Sequence, residues 1–557
     1  MTNAFGAALP NALSEQQNQL SCFPYSVGNE TEGVCLLVQL GEHRILLDCG
    51  LKDIQPLTVG GNPPVEMVFC SHAHSDHAQG LLALHQAYPQ LPIYASEVTV
   101  ELLPLNWLDL APTSIPKFCQ GIPWRSPLQL AEDLTVELYP AGHLPGAACI
   151  LLTYKTPKRS YKLLYTGDFC LSNFQLVEGL SIETLRGLGL DVLIIEGSYG
   201  NARHPHRRQQ EKQLMETIKD AIIRKKNVLL PVPTLGIGQE ILKLLRSHHQ
   251  FTGQDLDIWV DGSVAIACDY YLELLSQFPA SVQNFAKHQP LFWDDKVCPR
   301  MRRLLAENLS QVGLTSSIVI ADYRSDLQQY CRNASDSWLI LLPEHPRLLL
   351  TPDSPQLENL LKNPQITLQT YLLAEHSDGR NTTQLIHNLR PQHVIFVHAS
   401  STYLSALTSL EELQNRYQLH SPPAGNLVEL PIGDKFIRPT ATPHAYYEGE
   451  LNEVGAFITI TLPDEIEKDP RWNTFADTGI VEARWQGDEL ILRGVSQREL
   501  QSKTSFSRRI IEIDCCSNCL HYRNQRCWNA FSPLYGFVVT PDGYCPVFES
   551  SEGSNQL

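Results

Sequence analysis

Between Val65 and His77 an apolar run ends in Ser71-His72-Ala73-His74-Ser75-Asp76-His77, and this junction constrains the fold more than any other stretch of the 557-residue chain. A strand alternates its side chains between two faces, and a tight loop at its end can aim several of them at one point. Imidazole nitrogen and carboxylate oxygen are the donors that zinc and related ions accept at neutral pH. Three histidines and an aspartate between His72 and His77 therefore predict a metal-binding loop rather than a polar surface turn.

The same geometry recurs along the chain. Arg44-Ile45-Leu46-Leu47 runs into Asp48, Thr135 to Tyr139 into Pro140-Ala141-Gly142-His143, and Lys162 to Tyr165 into Thr166-Gly167-Asp168. Further on, Val192 to Ile195 ends at Glu196, Tyr371 to Ala374 leads to His376, and Val394 to Val397 ends at His398. Each is a short β-type run delivering a ligand-capable side chain at its carboxyl end, which is where sites gather in layered α/β architectures. A lone His398 would be expected to pack as a core histidine; together with the other strand ends it reads as part of one site.

The order Asp48, His72-x-His74-x-Asp76-His77, His143 and Asp168 resembles the metallo-β-lactamase fold in its nuclease-type branch. Glu196 in Ile194-Ile195-Glu196-Gly197-Ser198-Tyr199-Gly200, His376 in Ala374-Glu375-His376-Ser377-Asp378 and His398 in Phe396-Val397-His398 resemble the three added motifs of the β-CASP subfamily, which includes ribonuclease J and the endonuclease subunit of the polyadenylation machinery. The resemblance covers roughly residues 20 to 440. It implies an α/β chain: an αββα metallo-β-lactamase sandwich carrying an inserted α/β β-CASP cap, with a small C-terminal β domain and a Cys-rich module beyond it. The expected boundaries are 1–197 and 369–440 for the two parts of the hydrolase domain, 198–368 for the cap, 441–510 for the β domain and 511–549 for the module.

By that resemblance His72, His74 and His143 hold one ion, Asp76, His77 and His398 hold a second, and Asp168 bridges them. Two Zn2+ or Mn2+ ions would clamp a phosphate and generate a bridging hydroxide nucleophile. His376 would be the general acid, Glu196 its orienting carboxylate, and Asp48 a brace for the ligand loop that binds no metal. The implied function is an RNA-processing ribonuclease, endo or exo, acting on single-stranded RNA in the cytoplasm, as a homo-oligomer or within a processing complex. Two other classes stay open: a small-molecule metallo-hydrolase of the same fold, and an RNA-binding scaffold with a weak or dead site. The cap and its three motifs disfavour the first, and the full ligand set disfavours the second.

The sequence departs from relatives at the cap. Val228 to Pro233 reads as a buried strand followed by the turn Gly236-Ile237-Gly238, and Ile237, Ile241, Leu244 and Leu245 then share a helical face. Relatives usually carry arginine where Ile237 stands. The glycine-rich loops expected before the second added motif are replaced by Ala321-Asp322-Tyr323-Arg324-Ser325-Asp326 and Thr351-Pro352-Asp353-Ser354-Pro355.

Composition is that of a globular protein, with 43% hydrophobic and 18% charged residues, and no stretch approaches the roughly 20 apolar residues of a membrane span. Met1 to Leu20 has neither a basic region nor an apolar core, so no secretory signal is expected. A net charge of −17 argues against a surface coated for nonspecific nucleic-acid binding. The local basic clusters Arg203 to Arg208, Arg224-Lys225-Lys226 and Arg300, Arg302, Arg303 are expected to be solvated faces. Of the 15 cysteines, ten are scattered from Cys22 to Cys331, suiting a reduced cytosol. The other five fall between Cys515 and Cys545. Cys516, Cys519, Cys527 and Cys545 are the candidate ligands of a further Zn2+ or an iron–sulfur cluster, with Cys515 and His521 as spares.

Overall fold

Along the strand Val34–Leu40 every second residue enters one core and the residues between enter another: Leu36 and Val38 face inward, Cys35 and Leu37 outward. Such doubly buried strands need apolar side chains on both faces, and this chain supplies them as near-continuous runs. Two seven-stranded sheets result. The first has the order Val428–Glu429, Leu20–Val27, Val34–Leu40, His43–Leu47, Met67–Phe69, Ile93–Ser96, Cys119–Ile122. The second runs Gln418–His420, His393–Val397, Val192–Glu196, Ser160–Tyr165, Ala148–Lys155, Leu134–Pro140, Leu128–Ala131. The sheets pack face to face through Leu36, Ile45 and Phe69 on one side and Ile150, Leu163 and Ile194 on the other. The helix Leu81–Ala87 covers the first sheet's outer face through Leu81 and Leu84, and this is the expected αββα sandwich.

These observations come from a computed structural model that describes residues 20–433 except 30–31, 333–336, 345–349 and 352–353, and then 450–454, 457–461, 481–486, 489–494, 519–523 and 526–529.

Val192–Glu196 and His393–Val397 are parallel neighbours, with Glu196 opposite Val397. Between them the chain builds a third sheet, six-stranded and wholly parallel: Arg300–Arg303, Asp257–Val260, Ser317–Asp322, Asn227–Val232, Trp338–Pro343, Ile366–Tyr371. Its last strand pairs through Thr370 and Tyr371, so the cap sheet continues past the expected boundary at residue 368. Both faces of this sheet are covered. Val228, Leu230 and Ile320 join the core that also holds Leu193, Ile195 and Phe396 of the second sheet, while Leu229, Trp259 and Val319 form a core of their own.

Two sequence expectations meet a different environment. The helix Ile237–Ser247 is buried around its whole circumference, Gln239, Glu240, Lys243 and Arg246 included, because a different segment meets each of these. Gln239 donates to the Val264 carbonyl at 3.2 Å, Glu240 accepts the Gln175 and Leu176 amides, Lys243 lies over the Phe285 ring, and Arg246 donates to the Pro299 carbonyl at 3.0 Å. Arg207, expected on a solvated face, is also buried and donates to the Ala374 carbonyl at 2.7 Å. Arg300 and Arg302 are tied to Asp255, Asp257 and Asp295.

The residues beyond 442 form a separate unit. Within it Glu450–Val454 pairs with Phe457–Thr461, and Val481–Gln486 with Glu489–Gly494, each as an antiparallel hairpin. A short hairpin, Tyr522–Arg523 with Arg526–Cys527, follows. Cys519 and Cys527 are buried free thiols there; Cys515, Cys516 and Cys545 lie outside the described residues.

Candidate metal centre

Asp48 leaves the strand His43–Leu47 with φ of 60°, a left-handed conformation that an aspartate tolerates better than most side chains and that aims its carboxylate under the histidine loop. One oxygen accepts the Ser71 amide at 2.6 Å. The other accepts the Ser71 hydroxyl at 2.8 Å, the Tyr165 hydroxyl at 2.6 Å and His77 Nδ1–H at 2.6 Å. Bonded this way, His77 presents Nε2 to the centre, since the partner of one ring nitrogen sets the role of the other.

Above this brace two groups of donors converge. His72 Nε2 lies 3.2 Å from His74 Nδ1, which lies 3.0 Å from His143 Nε2. Asp168 Oδ2 is 3.4 Å from His72 Nε2 and 3.8 Å from His143 Nε2. These four donor atoms lie within 4.8 Å of one another, and so do those of Asp76, His77 and His398. Asp168 joins the groups: its Oδ2 is 3.3 Å from His77 Nε2, and its Oδ1 is 3.2 Å from His398 Nδ1. His398 reaches the centre from a left-handed residue with φ of 61°, its amide donating to Val27 at 2.7 Å and its Nε2 3.1 Å from Asp76.

Glu196 and His376 sit beside these donors. His376 Nδ1 is 3.1 Å from Glu196 Oε1, and Glu196 also accepts the Phe169 amide at 2.9 Å and the Ser198 hydroxyl. Burial opposes charge on His376, but the Glu196 and Asp168 carboxylates outweigh it and raise the imidazole to about 9. Burial likewise opposes charge on Glu196, yet neighbouring His376 brings it down to about 2.

The donor set fits divalent cations. Burial, reinforced by His72 itself, holds His74 down to about 3, and burial also lowers His72 and His143, leaving three neutral imidazoles of the form that ligates. Burial works against charge on Asp168, but the surrounding histidines hold its carboxyl well below the usual range. Among the described residues, His77 Nε2 and Asp168 Oδ1 are buried without a hydrogen-bond partner. Orphaned polar atoms of this kind are costly unless an ion or water meets them.

All seven proposed ligands, with Glu196, His376 and Asp48, are thus brought together. Nothing in the sequence pattern points to the carbonyls behind them. Leu235 of the cap turn lies with its carbonyl oxygen 3.4 Å from His74 Nε2, and the Glu375 carbonyl accepts His143 Nδ1–H at 2.8 Å. Ser198, in the Glu196 motif, lies with Oγ 3.0 Å from His398 Nδ1.

Residues 43–229 match the beta-lactamase superfamily domain. With the αββα sandwich and the strand-end ligand cluster, this makes the chain a metallo-β-lactamase-fold protein. The inserted parallel cap and the Glu196, His376 and His398 positions narrow the class: the chain belongs to the β-CASP family. It is 52% identical to an uncharacterized protein of Synechocystis sp., over 96% of this chain and 98% of that one. It is 32% identical to a protein of Methanocaldococcus jannaschii named as a probable RNase, over 41% of this chain and 56% of the relative. Identity is 23% with cleavage and polyadenylation specificity factor subunit 3 of Dictyostelium discoideum, over 71% of this chain and 55% of that protein. The alignments thus span little more than half the length of these last two relatives.

Proposed function

We propose that the chain is a two-metal phosphodiesterase that hydrolyses single-stranded RNA. The observation that carries this reading is the convergence of seven ligand-type side chains in two groups joined by Asp168. Relatives named as an RNase and as a cleavage factor support RNA as the substrate. His72, His74 and His143 would hold one ion and Asp76, His77 and His398 the other, with Asp168 shared and Zn2+ or Mn2+ suited to the mixed nitrogen and oxygen set. When bound, such a pair supplies charge neutralisation at phosphate and an activated water.

The protein's own residues do the rest. Asp48 keeps the His77 tautomer that points Nε2 inward. Glu196 holds His376 by Nδ1 and favours its protonated form, so His376 can deliver a proton to the leaving oxygen through Nε2. None of the ten cysteines from Cys22 to Cys331 is joined in a disulfide, which supports a reducing, cytoplasmic setting. No helix among the described residues is long and apolar enough to cross a membrane.

The test is cleavage of end-labelled single-stranded RNA and matched DNA by purified protein with zinc or manganese, resolved at single-nucleotide resolution. Metal-dependent RNA products that disappear in Asp168→Ala support the reading. Turnover of a small ester or thioester with no cleavage of RNA would replace it by a small-molecule hydrolase, and RNA binding without cleavage by a scaffold.

A further inference from the structure

The cap reaches the metal centre through the carboxyl edge of its parallel sheet. Val232 ends the strand Asn227–Val232, and the turn that follows brings the Leu235 carbonyl to His74. Directly beside it ends Ser317–Asp322, and Tyr323 continues the pairing by donating its amide to the Val232 carbonyl at 3.0 Å. Tyr323 is thus fixed next to the segment that touches the centre. Asp76 is the open side of the ligand cluster, with its side chain 29% exposed. Tyr323 is half-buried there, and burial pushes its phenol up.

The loop carrying Tyr323 is built rigidly. Asp322 is buried, and one carboxylate oxygen accepts the Thr234 hydroxyl at 2.7 Å and the Ser263 hydroxyl at 2.6 Å. Its other oxygen accepts the Arg324 amide at 2.8 Å, and its carbonyl accepts the Ser325 amide at 2.9 Å. Gln356 then donates to the Ser325 carbonyl at 2.7 Å. A buried carboxylate tied to two other segments and to its own loop specifies where the next two side chains stand. Those two are a half-buried aromatic ring and a guanidinium 5.3 Å from its centroid. Arg324 Nε lies 3.5 Å from Asp322, and the side chain is still 60% exposed. In a chain of net charge −17, an arginine held open beside the site is a local exception to the field.

We infer that Tyr323 and Arg324 form a nucleotide-binding platform on the cap: the tyrosine ring stacks on a nucleobase beside the scissile phosphate, and the Arg324 guanidinium contacts a neighbouring phosphate. This rests on the RNA reading of the site. Aromatic faces accept any base, and guanidinium groups pair with phosphate oxygens while stacking on aromatic rings. A preformed ring therefore grips single strands without reading sequence. Duplexes, whose bases are already stacked, gain nothing from it.

Binding is measured by fluorescence anisotropy in the slow-cleaving His376→Ala background, with zinc present. The probes are a labelled single-stranded RNA and a matched strand whose bases are removed at successive positions. Tyr323→Leu keeps apolar volume and removes the π face; it should weaken binding of the intact strand about 10-fold and leave the abasic strand unchanged. Tyr323→Phe should bind both strands as the background protein does, and Arg324→Ala should weaken both strands with a shallower salt dependence. Tyr323→Leu that binds the intact strand normally, or loses both strands equally, overturns the platform while leaving the RNA reading intact. A background protein that binds neither strand overturns both.

Discussion

Glu240 offers a prediction whose sign depends on which of two opposing effects wins. It is buried on the cap helix Ile237–Ser247, and its carboxylate accepts two amides across the domain junction, Gln175 at 2.6 Å and Leu176 at 3.0 Å. Arg207 lies 4.0 Å away. Those partners favour the charged form, but burial outweighs them, helped by Glu211, and raises the carboxyl from its ordinary 4.5 to about 7. A group whose folded value is raised contributes stability that is fully present below the unfolded value and is lost as pH rises through the folded one. Here that window runs from about pH 4.5 to 7, and the contribution is about 3 kcal/mol. Glu240→Gln cannot titrate and keeps one acceptor for the two amides, so it shifts stability by a constant. The stability of the parent minus that of the variant should therefore fall by about 3 kcal/mol between pH 4.5 and 7, a midpoint difference of roughly 3 °C for a unit of this size. Thermal melts of both proteins at equal metal loading, taken in half-unit steps, measure it. If the difference is flat, Glu240 does not titrate there; if it grows with pH, pairing with Arg207 outweighs burial and the reasoning is wrong.

Three further outcomes are expected. Asp48→Ala removes the acceptor that fixes the His77 tautomer and should lower metal affinity roughly 10–100-fold in competition with a chromophoric chelator, whereas unchanged affinity would reduce Asp48 to a folding role. His376→Ala should retain its metal content yet slow cleavage by roughly 10²–10⁴-fold, with most of the rate recovered on a substrate whose leaving group needs no proton; equal slowing on both substrates would assign His376 to positioning. Replacing Cys519 and Cys527 together by serine in the full chain should remove one metal equivalent or the iron and acid-labile sulfide of a cluster. Unchanged stoichiometry would end the metal reading of the cysteine module.

The candidate site residues were legible because each is written where its strand ends, and a strand end is a local property of the sequence. His72 to His77 follow an apolar run, and Asp48, His143, Asp168 and His398 repeat the pattern, so alternation and spacing alone could nominate them. The supports of those residues were not legible, because each is a contact between distant segments: Leu235 is 161 residues from His74, and Glu375 is 232 from His143. Arg207 and Glu240 show the same limit from the other side. A charged residue in a mixed helical stretch reads as surface until a second element is seen to cover it, and here segments as far apart as Gln175 and Pro299 cover the Glu240 helix. Gly236 joins the two kinds of information. Its sequence signal, a glycine opening a helix, predicts only a sharp turn. The structure shows why glycine is favoured: φ is 97°, strained for any other residue, and a Cβ would also press on the Glu375 carboxylate, in the segment that supplies both the His143 carbonyl contact and His376. The backbone of the cap turn therefore lies directly against the Glu375 side chain, in the segment that carries His376.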